Sequence, residues 1–127
     1  MSARATHDAS RAADAAARLA AQTVFGVPLV LVAGAGTGKT TVLVARVLAW
    51  CLGPGWDRAE RALLASDPAT PARRAIAERT LERVVAITFT EAAAAEMEAR
   101  AMTGLAQVAA GKAVLGLDAT VAPAEAA

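Results

Sequence analysis

At 127 residues the chain has room for one modest domain and not two, and 13 basic against 12 acidic side chains leave a formal charge of only +1. That balance excludes a polyelectrolyte surface, so any nucleic-acid contact has to come from a local site. One cysteine and one histidine exclude an internal disulfide and a Cys/His metal centre. A reduced cytoplasm is the expected setting, and no membrane association is expected, since Arg46 interrupts the most hydrophobic segment and the start lacks a secretory apolar region.

Alanine dominates the composition and favours helix nearly everywhere. Residues 1–8 read as a frayed start. Ala9 to Val24 follows as a helix, with Asp14 four residues before Arg18 and Gly26 as its stop. Pro28 to Val32 is a short continuous apolar run of the kind found in a strand covered on both faces. Thr40 to Leu52 is a second helix in which Arg46 is the one strongly polar interruption, and Gly53-Pro54-Gly55 closes it. Trp50 and Trp56 belong to the core or its margin. Asp57 to Ser66 and Pro71 to Arg83 read as short surface helices around the turn from Asp67 to Pro71. Arg73, Arg74, Arg79 and Arg83 form a basic run interleaved with Glu78 and Glu82, which suits a solvated face or a phosphate-backbone contact. Val84 to Phe89 is a second strand, passing into a helix from Glu91 to about Ala110 with Thr90 as N-cap, Glu96 paired with Arg100, and Gly111 as its stop. Lys112 to Ala127 holds one apolar piece, Val114 to Leu117, and a tail expected to be disordered.

Between the first strand and the second helix lies Ala33-Gly34-Ala35-Gly36-Thr37-Gly38-Lys39-Thr40. Strand, glycine-rich loop and helix, in that order, make a P-loop of the pattern, with Ala33 where the full motif has Gly. The residue types follow from what holding polyphosphate requires. Backbone N–H groups at a helix start lack partners and carry the positive end of the helix dipole. Gly34, Gly36 and Gly38 bring the backbone close to phosphate oxygens, and Lys39 adds a full charge for the terminal phosphates, where it would serve catalysis. The Thr40 hydroxyl is placed to ligate Mg2+. The candidate ATP-binding set is Gly34, Ala35, Gly36, Thr37, Gly38, Lys39, Thr40 and Thr41. Upstream, Gln22 or Arg18 could pack over the adenine; a solvated leading helix is the alternative.

Thr88, Phe89 and Thr90 close the second strand at the carboxyl rim where open α/β sheets bind ligands. Two hydroxyls can bond phosphate or sugar and one aromatic can stack on any base, which makes these three a candidate nucleic-acid contact. The competing reading places Phe89 in the core and leaves the threonines as caps.

AGAGTGKT together with VVAITFTEAAAAEMEAR resembles the superfamily 1 DNA helicases of the UvrD/RecB type, in which the first stretch is motif I and the second, TFT-x-x-A-A-x-E-M, is motif Ia, a contact to single-stranded DNA. Thr37 and Glu91 look more like the RecB and AddA branch, whereas Ala92 stands where many members have Lys. The resemblance implies an α/β fold: a P-loop NTPase (RecA-like) three-layer parallel sheet with helices on both faces, incomplete here. It implies that residues 9–117 are the N-terminal part of the ATP-binding domain, followed by a tail over residues 118–127, and that strands from later in sequence separate the two present. It implies ATP and Mg2+ as cofactors, single-stranded DNA as partner, and helicase–nuclease subunits as further partners. Family members also need an Asp-Glu pair and arginines from a second motor domain. Val114 to Asp118 imitates an apolar strand ending in Asp, but Ala119 follows it, so the chain alone is expected to be inactive. Two other readings stay open: a small P-loop kinase or NTPase with Asp118 as its metal-linked acid, and a non-catalytic nucleotide-binding module from a truncated gene.

Overall fold

The computed structural model describes residues 3–34, 36 and 38–121, with side chains from residue 5 onward. These residues form helices α1 (Ala3–Thr23), α2 (Lys39–Leu52), α3 (Pro54–Ser66), α4 (Arg73–Leu81) and α5 (Glu91–Ala109). Every other helix packs on α2, and α3 and α4 also pack on each other.

Local chemistry explains most of the boundaries. Alanine carries α1 from Ala3, ahead of the Ala9 start expected, and the Asp14–Arg18 pair forms at 2.8 Å. Gly53 stops α2, but Pro54 then opens α3 at once, because proline's fixed φ suits a first helical position and its missing N–H is not needed there. Gly55, read as part of the stop, therefore lies inside α3, buried against the Trp50 ring. Thr90 caps α5 by accepting from the Ala93 N–H at 3.1 Å. Gly111, at φ +68°, ends α5 in a Schellman arrangement, with Lys112 N–H donating to Gln107 O at 2.8 Å and Gly111 N–H to Val108 O at 2.9 Å.

The parallel sheet expected from the sequence is not present. Among the described residues no strand forms, and both Pro28–Val32 and Val84–Phe89 are irregular backbone. The α/β assignment is corrected to a helical architecture. A strand is held by the N–H and C=O groups of a neighbour, and neither run has one. The composition that suggested strands is still visible in which side chains face out. Val30 and Val32 are exposed on one run, and Val85, Ile87 and Phe89 on the other, at the two-residue spacing of a strand face.

The core is correspondingly thin and alanine-rich. Ala21, Ala45, Ala49 and Ala59 are buried, and among the described residues Leu48 is the one large apolar side chain with no exposure at all. Cys51 is buried beside them, and burial pushes its thiol up from the ordinary range, leaving it protonated and unreactive. Gly104 of α5 sits directly over Leu48: a Cβ there would lie 2.6 Å from Leu48 Cδ1.

That contact yields a prediction in which two effects compete. Gly104→Ala should gain about 1 kcal/mol of helix propensity and lose about 1–3 kcal/mol to overpacking, a net destabilisation in urea titration. In a Leu48→Val background, which removes the offending methyl, the same substitution should become neutral or stabilising. Strictly additive effects would mean that α5 does not meet α2 at this point.

Candidate functional site

The loop ahead of α2 has the backbone its sequence requires. Gly36 and Gly38 both take positive φ, +72° and +79°, a conformation that side chains make costly, while Ala35 and Thr37 lie outside the described residues. Gly38, left-handed, is the N-cap of α2, and among the described residues no side chain caps this helix. The contrast with α5 is chemical: there the N-cap Thr90 hydroxyl accepts a first-turn N–H, whereas the N-cap of α2 is a glycine with no side chain to offer. An anion at this point would meet the positive end of the α2 dipole.

Beside the loop is a cleft of about 320 Å³ whose lining includes Asp14, Arg18, Leu31, Gly34, Lys39 and Leu43. The size lies in the range of small-ligand sites. Lys39 is exposed on it and Gly34 forms part of its wall. Thr40 follows in the first turn, half-buried. Thr41 points elsewhere: it borders a second cleft, of about 430 Å³, shared with Val44, Arg100, Gly104 and Val114. A Cβ on Gly116 would lie 2.5 Å from Thr41 Cγ2, so the C-terminal turn presses on this residue.

Thr88, Phe89 and Thr90 are not brought into the Lys39 cleft. The residues just before them, Val84 to Ile87, line a third cleft with Phe25, Arg46 and Trp50, and Leu43 borders both this cleft and the one beside the loop. Thr88 Oγ1 donates to Thr90 O at 2.8 Å, and Phe89 is fully exposed, so it is not the core residue that the competing reading required.

Gln22 and Asp118 prove to be partners. Gln22 is 4% exposed and spends its whole amide on backbone: Nε2 donates to Gly116 O at 2.9 Å and to Arg18 O at 3.2 Å, while Oε1 accepts from Asp118 N–H at 2.8 Å. It therefore staples residues 116–118 to α1. The Asp118 carboxylate accepts from the Thr120 N–H and hydroxyl, which hold it below the usual carboxylate range. It does not line the Lys39 cleft, and among the described residues no group of three or more His, Cys, Asp or Glu could hold a metal.

Arg46 matters more than sequence reasoning gave it credit for, and Arg18, which the sequence offered as a residue packing over the adenine, borders the loop. Arg46, read only as an interruption in an apolar helix, donates from Nη1 to Ala21 O at 2.6 Å and Val24 O at 2.8 Å, closing the carbonyl end of α1, and stacks over Phe25 at 4.5 Å. Arg18 lines the cleft. The i, i+4 spacing to Asp14 was a legible signal for its pairing, but nothing in sequence placed the pair against the loop.

Residues 14–120 match the family model described as the UvrD/REP helicase N-terminal domain, a span that takes in the glycine loop, all of α2 to α5 and the Thr88–Thr90 segment. The chain belongs to that family. No curated protein and no solved structure gives a match. No helix among the described residues is long and apolar enough to cross a membrane.

The Gln22 staple predicts a specific loss. In Gln22→Ala the Asp118 amide should lose its protection and exchange its hydrogen faster, and the melting temperature should fall, with nucleotide affinity unchanged. A selective loss of affinity for adenine nucleotides would instead make Gln22 a ligand contact.

Proposed function

We propose that this chain supplies the ATP-binding portion of an ATP-dependent DNA helicase of the RecB/AddA-like branch, coupling hydrolysis to movement on single-stranded DNA. One observation carries the reading: two glycines at positive φ, the second of them the N-cap, lead into a helix whose first residue, Lys39, lines a cleft of about 320 Å³, within a chain that matches the UvrD/REP family. Amides from Gly34 to Thr41 would wrap the phosphates, Lys39 would neutralise the terminal ones, and the Thr40 hydroxyl would be the protein ligand to Mg2+, which draws charge from the phosphoryl group when bound.

Thr88, Phe89 and Thr90 are assigned to single-stranded DNA. The exposed Phe89 ring offers a stacking face that any base can use, which fits a motor that must pass every sequence. The charge balance of the chain agrees with a contact made by stacking and hydroxyls at one point. Alone, the chain is expected to bind nucleotide weakly and to unwind nothing.

Lys39→Ala should abolish binding of a fluorescent ATP analogue at constant helicity; an unchanged affinity would remove the phosphate-binding reading. For the DNA contact, Phe89→Ala should weaken binding of an oligo-dT strand by about 1–3 kcal/mol with no change in melting temperature, because the ring is not buried. A drop in melting temperature without loss of DNA affinity would assign the ring to packing.

A further inference from the structure

The two apolar runs make a surface that nothing among the described residues covers. Val30 is 84% exposed and Val32 97% on the first run, and Val85 is 79% exposed and Ile87 90% on the second. Their backbone is as bare as their side chains: among the described residues no hydrogen bond reaches the N–H or C=O groups of residues 28–33 or 85–87. Leu43 of α2 borders both the cleft that Leu31 and Val32 line and the one that residues 84–87 line, so a single residue adjoins both runs and joins them in one surface. No charged side chain interrupts residues 27–34 or 84–90. Lysine and proline are the usual guards of an open strand edge, and of these the two runs carry Pro28 alone.

We propose that this surface is a self-association interface: two copies of the chain dock about a two-fold axis, and the runs of each supply the strand partners that the runs of the other lack. The surface needs apolar cover and backbone partners together, and the same surface on a second copy offers both. Across a two-fold axis an identical patch meets itself, and an uncharged patch can do so without setting like charges against each other. The area is sufficient. The exposed parts of Val30, Leu31, Val32, Leu43, Val85 and Ile87 amount to on the order of 700 Å², close to the roughly 800 Å² that each partner of a stable interface contributes. Pairing turns backbone groups now open to water into ladder hydrogen bonds, so each copy gains strand structure while α1 to α5 stay as they are. An isologous contact uses the patch on both copies and therefore closes at two. The interface stands whether or not the cleft beside Lys39 takes a nucleotide, and it does not need Phe89, which lies at the end of the second run.

The test is sedimentation velocity of the 127-residue chain over a concentration series, with amide I infrared spectra of the same samples. A saturating monomer–dimer equilibrium is expected, with a strand band that grows as the dimer forms. The double variant Val30→Lys, Ile87→Lys puts a cation on each run at an exposed position, so helicity and melting temperature of the monomer should hold while the dimer dissociation constant rises about a hundredfold. Ile87→Thr, which keeps a β-branched side chain and adds no charge, should weaken the dimer only about threefold. Leu115→Lys, at an exposed apolar residue outside the surface, should leave it unchanged. A chain that is monomeric at every concentration would leave the surface to some other occupant, such as a strand of a different polypeptide, and overturn the proposal. Growth to open-ended oligomers, a dimer without a strand band, or a dimer as sensitive to Leu115→Lys as to the double variant would overturn it equally.

Discussion

Helix α2 is the element against which every other helix of the described chain is packed, and α1 and α5 pack on no other helix. Its buried stripe, Val44, Ala45, Leu48 and Ala49, is therefore the constraint on which the arrangement depends. The stripe also fixes the direction of the α2 axis, and with it the place where the positive end of the dipole emerges. Packing and chemistry meet in one helix: its middle makes the core and its first turn meets the glycine loop. Arg46 extends the coupling, since by closing α1 it sets where Asp14 and Arg18 stand relative to that first turn.

The two apolar runs are the cost of this arrangement. Val30, Val32, Val85, Ile87 and Phe89 have the composition of strand faces and stand exposed, because a strand is a property of a pair and neither run finds its pair within the described residues. The result is a helical assembly with a thin, alanine-rich core and more exposed apolar surface than its composition requires.

Helix placement was legible in the sequence because its determinants are local. Alanine content, the Thr90 cap, Gly53 and Gly111 as stops and the Asp14–Arg18 and Glu96–Arg100 spacings all act within a few residues, and each is found where the sequence puts it. The glycine loop was legible in part for the same reason, since residue type alone suggests positive φ at Gly34, Gly36 and Gly38, and the last two take it while Gly34 does not. Strands were misread because a continuous apolar run records an appetite for burial and says nothing of whether a partner exists. Contacts distant in sequence were also beyond reach: Gln22 with residues 116–118, Arg46 with the end of α1, and Arg18 with Gly38 follow from how helices cross, which spacing along the chain does not encode.

The central claim is that the turn through Gly36 and Gly38 and the start of α2 form an anion-binding nest. The most direct measurement is a titration of the 15N-labelled chain with Mg-ATP, followed amide by amide. The account predicts saturable shifts concentrated at Gly36, Gly38, Lys39 and Thr40. Nucleotide binding that leaves those four amides unmoved, with shifts confined to the cleft between Thr103, Gln107 and Leu115, would contradict it.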